Sequence, residues 1–274
     1  MGLSSNILWQ QTDRKGLTGI LKTKMLKYGY SRERVFEDQK KQQFAIPMVS
    51  MCDIPFSELN PYLGKYGNYS IGLTREWGYK NHFNSVWYCR RNSSVYKMLS
   101  KALKDAQAND NREVIKTVFG LLCYMKFEEA SLIQKNYSKY RFMDEREFRL
   151  CPSFEELQEA GASMMLDEEG YSKYKSENNG SSILQIGIPF DWSDVKYIII
   201  KSGTSPATFK KLLKEEGCNN DQICIFTENQ VKEDFIGVDH DVKVEESAYD
   251  PIMDLVTGRK SILDFMMEDI KAKK

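Results

Sequence analysis

The sequence predicts an α+β fold, in which helices flank a mixed β-sheet. Short apolar runs bounded by Pro, Gly, Ser or Asp occur near residues 45–55, 183–188 and 195–200, which is typical of strands. Apolar residues spaced three or four apart between residues 94 and 125 indicate amphipathic helices. The chain has 274 residues, of which 41% are hydrophobic and 28% charged, so it can build the core of an ordinary globular protein.

The N-terminal third is predicted to begin with a short strand at Ile7 and Leu8. An amphipathic helix follows from Gly16 and ends near Tyr28-Gly29-Tyr30. Residues 45–55 read as a buried or edge strand that leaves the sheet at Asp53. Two more strands are predicted at residues 66–73 and 86–89, where aromatic and aliphatic residues alternate with small ones.

The remainder of the chain is predicted to add helices, strands and a tail. The spacing of apolar residues indicates two helices within 94–135, joined at 108–111. The further predicted elements are strands at 145–150, 183–188, 195–200 and 223–226, a helix at 206–216 and an amphipathic helix at 252–274. Residues 164–182 are acidic and rich in Gly, Ser, Asn and Tyr, which indicates a mobile insertion. We therefore expect one α+β domain over 1–240 and a C-terminal helical tail over 241–274.

Charge and cysteine usage exclude several classes of protein. The 39 basic residues balance 39 acidic ones, so the broad positive field of a general nucleic-acid binder is missing. No apolar run is long enough to span a membrane and no secretory signal is visible, so we expect a cytoplasmic protein without membrane partners. Six scattered cysteines without a CxxC pair, and two histidines, predict reduced thiols and no metal site. No Ser-His-Asp arrangement, Walker A loop or GxGxxG fingerprint is present.

The segment Glu145-Arg146-Glu147-Phe148-Arg149 is the most informative one for chemistry. In a strand, alternation would place Glu145, Glu147 and Arg149 on one face, so two carboxylates and a guanidinium converge. A carboxylate on a rigid strand can stabilise an oxocarbenium-like centre, and a second carboxylate nearby would raise its pKa by repulsion. A charged outer face with cross-strand ion pairs is the alternative.

A second candidate site lies at the end of the first predicted strand, where Gln10 and Thr12 precede a helix. Polar side chains in that position suit the ribose or amide of a nucleotide. The same residue types also serve as turn or helix-capping residues, so both interpretations stay open.

Several segments, taken together and in order, resemble the AbiGi family of abortive-infection proteins. The resemblance covers most of the chain to about Phe235. It is carried by Leu8-Trp9-Gln10-Gln11-Thr12 with Leu17-Thr18-Gly19-Ile20-Leu21, by residues 46–55 and 66–73, by Glu145-Arg146-Glu147-Phe148-Arg149, and by residues 228–235. The layout is also similar to that of ADP-ribosyltransferases of the DarT and CmdT kind. The likeness to ADP-ribosyltransferases implies a mixed, mainly antiparallel split sheet, and the AbiGi resemblance implies a role in phage defence.

The likeness to ADP-ribosyltransferases implies a transfer of ADP-ribose from NAD, as substrate and without a metal, to a nucleic acid or protein. Glu147 would be the catalytic carboxylate and Glu145 its neighbour. Gln10 and Thr12 would lie near the NAD ribose, with Trp9 or Tyr69 stacking on nicotinamide or adenine.

The AbiGi resemblance also implies a different function, that of a non-catalytic antitoxin or regulator that binds a cognate toxin. Aromatic and Met side chains, including Met253, Met266 and Met267, would then anchor the partner. The same methionines could instead be ordinary core residues.

Overall fold

The computed structural model describes residues 5–33, 44–91, 93–132, 137–219 and 221–233. Its strands are β1 Ile7–Thr12, β2 Met25–Glu33, β3 Phe44–Cys52, β4 Tyr69–Thr74, β5 Asn84–Ser85, β6 Trp87–Cys89, β7 Met125–Phe127, β8 Glu129–Leu132, β9 Tyr137–Arg141, β10 Glu147–Leu150, β11 Ile183–Pro189, β12 Val195–Ile200 and β13 Cys224–Thr227. Its helices are α1 Arg14–Thr23, α2 Arg75–Lys80, α3 Ser94–Ala108, α4 Arg112–Cys123, α5 Phe154–Glu159, α6 Glu168–Glu177, α7 Pro206–Glu215 and α8 Glu228–Glu233.

The main sheet has nine strands and is mostly antiparallel, which confirms the α+β prediction. Seven of the strands follow the order β11-β2-β3-β1-β4-β12-β13, while β10 pairs with β3 and β5 pairs with β10. β12 and β13 run parallel through the α7 crossover. Strand β3 pairs with three strands: with β2 along its first half, with β10 along its second half and with β1 at Cys52.

Apolar clusters cover both faces of the main sheet. On one face, Leu8, Val49 and Ile71 pack in a large cluster with residues of α1 and α7. On the other face, the α3–α4 hairpin packs over the first half of β3, and a smaller cluster surrounds Trp9 and Cys52. Because successive side chains of a strand point to opposite faces of the sheet, neighbouring residues of one strand pack in different apolar clusters.

Most predicted elements are confirmed, with bounds that differ by a few residues. The predicted strands near 45–55, 66–73, 86–89, 183–188, 195–200 and 223–226 are present, as are the two helices of the 94–135 segment and the helix at 206–216. The short strands β7 and β8, which follow α4, were not predicted.

The first helix ends earlier than the sequence predicted. α1 stops at Thr23, where Lys24 adopts the left-handed conformation with φ 49°, and residues 25–33 form a strand. The alternating burial of Leu26, Tyr28 and Tyr30 explains the difference, because the burial has the period of two that a strand requires.

The segment 164–182, predicted as a mobile insertion, contains helix α6. Leu166, just before the helix, exchanges two backbone hydrogen bonds with Ala45 of β3. Its mobility and the single-domain boundary remain predictions, and the predicted tail 241–274 lies outside the described residues. None of the described helices is long and apolar enough to cross a membrane.

Candidate functional site: a buried charge cluster

The segment around Glu145 and Glu147 is a turn followed by a strand. Residues Phe142–Glu145 form a 3-10 turn, Arg146 adopts the left-handed conformation with φ 43°, and β10 begins at Glu147. The prediction that Glu145 belongs to the strand is therefore wrong, because the turn at Arg146 breaks the alternation. The two carboxylates nevertheless converge, since both approach the Lys126 ammonium of β7.

Glu147 and Arg149 form the centre of the cluster. Arg149 Nε donates to Glu147 Oε1 at 2.8 Å, and its Nη2 donates to Glu33 Oε1 of β2 at 2.9 Å. The third contact of the guanidinium is a 2.7 Å hydrogen bond from Nη1 to the carbonyl of Cys123, at the end of α4. Arg149 is completely buried and Glu147 is 2% exposed, so the predicted alternative of a charged outer face is wrong.

Three donors occupy the two carboxylate oxygens of Glu147. Ser50 Oγ of β3 donates to Oε1 at 2.5 Å, alongside Arg149. Lys126 Nζ donates to Oε2 at 2.9 Å. The backbone N–H of Glu147 in turn donates to the hydroxyl of Tyr88 on β6 at 2.9 Å. Glu147 is thus held by side chains from β3, β7 and its own strand.

Glu145 is held by aromatic hydroxyls. Its Oε1 accepts hydrogen bonds from Tyr66 at 2.5 Å and from Tyr140 at 2.8 Å. Its Oε2 lies 3.7 Å from Lys126 Nζ. Tyr66 is half-exposed, so this side of the cluster is the one nearest to solvent. Burial and the Glu145 carboxylate raise the pKa of both tyrosines, which therefore stay protonated as donors.

The electrostatics of the cluster keep Glu147 ionised. Burial alone would raise the pKa of Glu147, but Arg149, Lys126 and the hydrogen bond from Ser50 outweigh it and hold that pKa far below its usual range. The expected upward shift by the neighbouring carboxylate is wrong, because two cations lie closer than the sequence revealed. Burial lowers the pKa of Lys126, whereas the carboxylates of Glu147, Glu33 and Glu145 raise it. The carboxylates outweigh burial, so the pKa of Lys126 lies above its usual value.

Among the described residues of this cluster, the three carboxylates outnumber the two cations by one. Burying so many charges is expensive, and an apolar core of the same volume would usually be at least as stable. Ionisable groups with strongly shifted pKa values are enriched at functional sites, although structural ion-pair networks shift them too. The arrangement can offer a fixed anionic carboxylate to a cationic centre, provided that a ligand displaces one of its present partners.

The predicted NAD-binding residues are divided between the two faces of the sheet. Leu8, and hence Gln10 and Thr12 on the same side of β1, faces the core cluster that includes Ile71 and Tyr69. Cys52 of β3 pairs with Glu147 on one side and with Trp9 on the other, so these three side chains project from the same face. Gln10 and Thr12 project from the opposite face. The structure therefore brings Trp9 but not Gln10, Thr12 or Tyr69 to the face of Glu147.

The rings predicted to stack on a nucleotide are engaged in the protein interior. The Trp9 indole N–H donates to the Ile54 carbonyl at 3.0 Å, and the ring stacks on Tyr197 at 5.7 Å. The Tyr69 hydroxyl lies 2.9 Å from Thr204 Oγ1. Both side chains are buried, so ring stacking with a ligand would require local opening.

Among the described residues, six side chains that contact Glu145, Glu147 or Arg149 were not predicted: Glu33, Ser50, Tyr66, Tyr88, Lys126 and Tyr140. Lys126 stands between Met125 and Phe127, and this alternation was a signal for a short strand with one polar face. Nothing in the local sequence marked Glu33 or Ser50, because long-range pairing alone brings them to β10. Within the described parts of the chain, no group of three or more His, Cys, Asp and Glu side chains is placed to hold a metal ion.

Comparison with known proteins identifies the family. The family model described as "Putative abortive phage resistance protein AbiGi, antitoxin" matches residues 23–201, which is more than half of the chain. A protein of Lactococcus lactis subsp. cremoris named abortive phage resistance protein AbiGi is 27% identical over 189 residues, covering 61% of this chain and 76% of that protein. No solved structure matches the chain. The match confirms the resemblance found in the sequence: the chain belongs to the AbiGi family of abortive phage resistance proteins.

Proposed function

We propose that this chain acts in abortive phage defence as an antitoxin, which binds and restrains a toxin protein. The family description supports this role, and one structural observation supports a protein partner. Of the eight large hydrophobic side chains that are exposed in the described part of the chain, four lie on the α3–α4 hairpin, namely Val95, Met98, Val114 and Leu121. Exposed apolar side chains grouped on one element are typical of protein-binding surfaces.

The proposed contact surface is the open end of the hairpin. Val95 and Met98 are neighbours on the first turns of α3, and Leu121 lies in the last turn of α4, which returns beside α3. Trp87 lies at the same end, because its backbone N–H donates to the carbonyl of Tyr124 just after α4. We call Trp87, Val95, Met98 and Leu121 the hairpin patch.

The charges around the hairpin patch favour a partner with an acidic rim. Lys97 is exposed on α3, whereas the exposed Lys101 and Arg90 pair with Asp105 and Glu128. The first turn of α3 contains no acidic residue. An apolar centre with the Lys97 ammonium beside it fits a toxin surface of apolar side chains bordered by Asp and Glu.

The test is binding to a candidate toxin encoded in the same gene cluster, measured with purified proteins and by rescue of bacterial growth. Met98 is 70% exposed and Leu121 49%, so Met98→Glu and Leu121→Glu should leave the fold intact. Each should weaken toxin binding by about tenfold or more, as loss of an interface anchor does. Ile183→Glu is the matched control, because Ile183 is similarly exposed but lies on β11, an edge strand of the main sheet, and not on the hairpin. Equal rescue by all three variants would refute the hairpin patch as the toxin-binding surface.

A second candidate function is the transfer of ADP-ribose from NAD, which the carboxylate geometry favours. Glu147 is ionised and fixed by Ser50, so its negative charge could stabilise an oxocarbenium-like ribose. In such a step the bond from ribose to nicotinamide breaks, nicotinamide leaves with the electron pair, and an acceptor nucleophile of a nucleic acid or protein bonds to the ribose and loses its proton. NAD would have to displace Lys126, which at 15% side-chain exposure is more accessible than Arg149, the other cation that contacts Glu147.

Nicotinamide release from NAD, in the presence of host nucleic acid and protein extract, tests this candidate. Release by the wild type, loss in Glu147→Gln and retention in Glu155→Gln would support it, since Glu155 is an exposed carboxylate on α5. Far-ultraviolet circular dichroism of each variant checks that the fold is kept. The transferase assignment fails if Glu147→Gln is folded and releases nicotinamide at the wild-type rate.

A further inference from the structure

The face of the sheet that contains Glu147 also holds two polar side chains with no hydrogen-bond partner. Both polar atoms of the Gln11 carboxamide and the Ser70 hydroxyl are buried and unpaired among the residues that the structure describes. Gln11 is 7% exposed and Ser70 is completely buried. An unpaired buried amide is rare in native proteins because it loses its bonds to water without replacement.

The two side chains are direct neighbours. Gln11 of β1 pairs with Ser70 of β4, and residues opposite each other in antiparallel strands project from the same face. Gln11 lies two residues after Trp9 and so projects from the same face of β1 as Trp9. Trp9 and Glu147 both pair with Cys52, so Glu147 also projects from that face. The unpaired atoms therefore share the face of the charge cluster.

The loop that contains Tyr66 and Gly67 lies between the end of β1 and the charge cluster. The backbone of Gly67 lies against the end of β1, where an added Cβ would meet the carbonyl oxygen of Thr12 at 1.9 Å. The next residue back, Tyr66, donates its hydroxyl to Glu145. The loop thus runs from beside Thr12, the residue after Gln11, to the Tyr66 side of the cluster, and Tyr66 is half-exposed.

We propose that Gln11 and Ser70 form a binding site for a planar nitrogen ring or ring carboxamide of a nucleotide. A carboxamide side chain presents a donor and an acceptor side by side, which matches the donor and acceptor edge of adenine or of a primary amide. The Ser70 hydroxyl adds one further donor or acceptor. The site is independent of both proposed functions, because either an antitoxin or a transferase could use a nucleotide there.

Titration calorimetry with three small probes tests the site and shows whether it binds an adenine ring or a ring carboxamide. Adenosine monophosphate offers adenine, nicotinamide mononucleotide offers the carboxamide, and ribose 5-phosphate lacks a ring. Wild-type protein should bind at least one of the ring-bearing probes and not ribose 5-phosphate. Binding of neither ring-bearing probe would overturn the proposal, because water alone would then occupy the site.

An exposed glutamine elsewhere in the chain provides the control variant. Gln11→Met keeps the side-chain length but removes the hydrogen bonds, so binding should fall by about tenfold or more. The same change should raise the thermal midpoint by roughly 2–4 °C, because it removes an unpaired buried amide. Gln158→Met makes the same change at an exposed position of α5, outside this site, and should keep the affinity of the wild type. Equal affinity of the two variants would place the ligand elsewhere and refute the site.

Discussion

Replacing Arg149 by Met should strongly destabilise the protein, because Arg149 holds the buried cluster together. The guanidinium is completely buried and contacts Glu147, Glu33 and the carbonyl of Cys123 at 2.7–2.9 Å. Met fills similar space but leaves Glu33 and Glu147 with Lys126 as the nearby cation. Removing one partner of a buried ion pair costs about 3–5 kcal/mol. That is a large part of the roughly 5–15 kcal/mol by which a domain is stable.

Urea unfolding followed by circular dichroism measures the change in the free energy of unfolding. Arg90→Met serves as the control, since Arg90 is 80% exposed and pairs with Glu128 at 3.4 Å, which is worth about 0–1 kcal/mol. The double variant Arg149→Met with Glu147→Leu should lose less free energy of unfolding than the two single variants together. The reason is that the double variant removes the Glu147 carboxylate together with its cation, so no unpaired charge is left there. A loss below about 1 kcal/mol for Arg149→Met would refute the claim that this cluster is tightly coupled.

The same cluster should make stability fall in acid. The pKa of Glu147 is lower in the folded protein than the ordinary value of 4.5, so its ionised form stabilises the fold above pH 4.5. This contribution should diminish as the pH falls below 4.5 toward the folded-state pKa. Urea midpoints from pH 7 to pH 3 should therefore drop more steeply for the wild type than for Glu147→Gln. Parallel curves would contradict the assignment of the shift to Glu147.

Two further predictions concern local packing. Burial raises the pKa of Tyr30 to about 12, although the Ser163 N–H donates to its hydroxyl at 3.0 Å and so favours the ionised form. Stability should therefore be lost as the pH rises above 10, and Tyr30→Phe should reduce that loss in alkaline unfolding curves. Gly67→Ala should lower the thermal midpoint, because its φ is +141° and a Cβ would strike Thr12, whereas Gly19→Ala, with open space in α1, should raise stability by about 0.5–1 kcal/mol. Equal midpoints for these two glycine variants would show that the loop is not fixed against β1.

The sequence predicted the fold class and most elements because the period of apolar residues survives in them. It failed where the backbone turns without glycine. Lys24 and Arg146 both adopt positive φ angles, which no local signal announces for these residue types, so α1 was predicted too long and β10 too early. At residues 25–33 the alternation of Leu26, Tyr28 and Tyr30 was available and should have outweighed the helical interpretation.

The candidate site could be predicted only in part, because the sheet is covered on both faces. Leu8 and Trp9 are both apolar and buried, so β1 offers no polar face that would tell which of Gln10 and Gln11 points toward Glu147. Glu147 and Arg149 were predicted together because they are two residues apart in one strand. Lys126 and Glu33 come from β7 and β2, and such long-range neighbours cannot be derived from local spacing.

The hairpin patch and the charge cluster are physically connected, which bears on how an antitoxin of this kind could respond to its partner. Arg149 donates a hydrogen bond to the carbonyl of Cys123, which is the last residue of α4. Cys123 lies two residues after Leu121 of the patch. Tyr88, next to Trp87 of the patch, accepts the backbone hydrogen bond of Glu147. A partner that moves the open end of the hairpin therefore changes two contacts of the cluster at once. If a toxin binds there, Arg149→Met protein that circular dichroism shows to be folded should bind the toxin more weakly, although its contact surface is unchanged. A patch that acts independently would bind the toxin equally well in the wild type and in the folded variant.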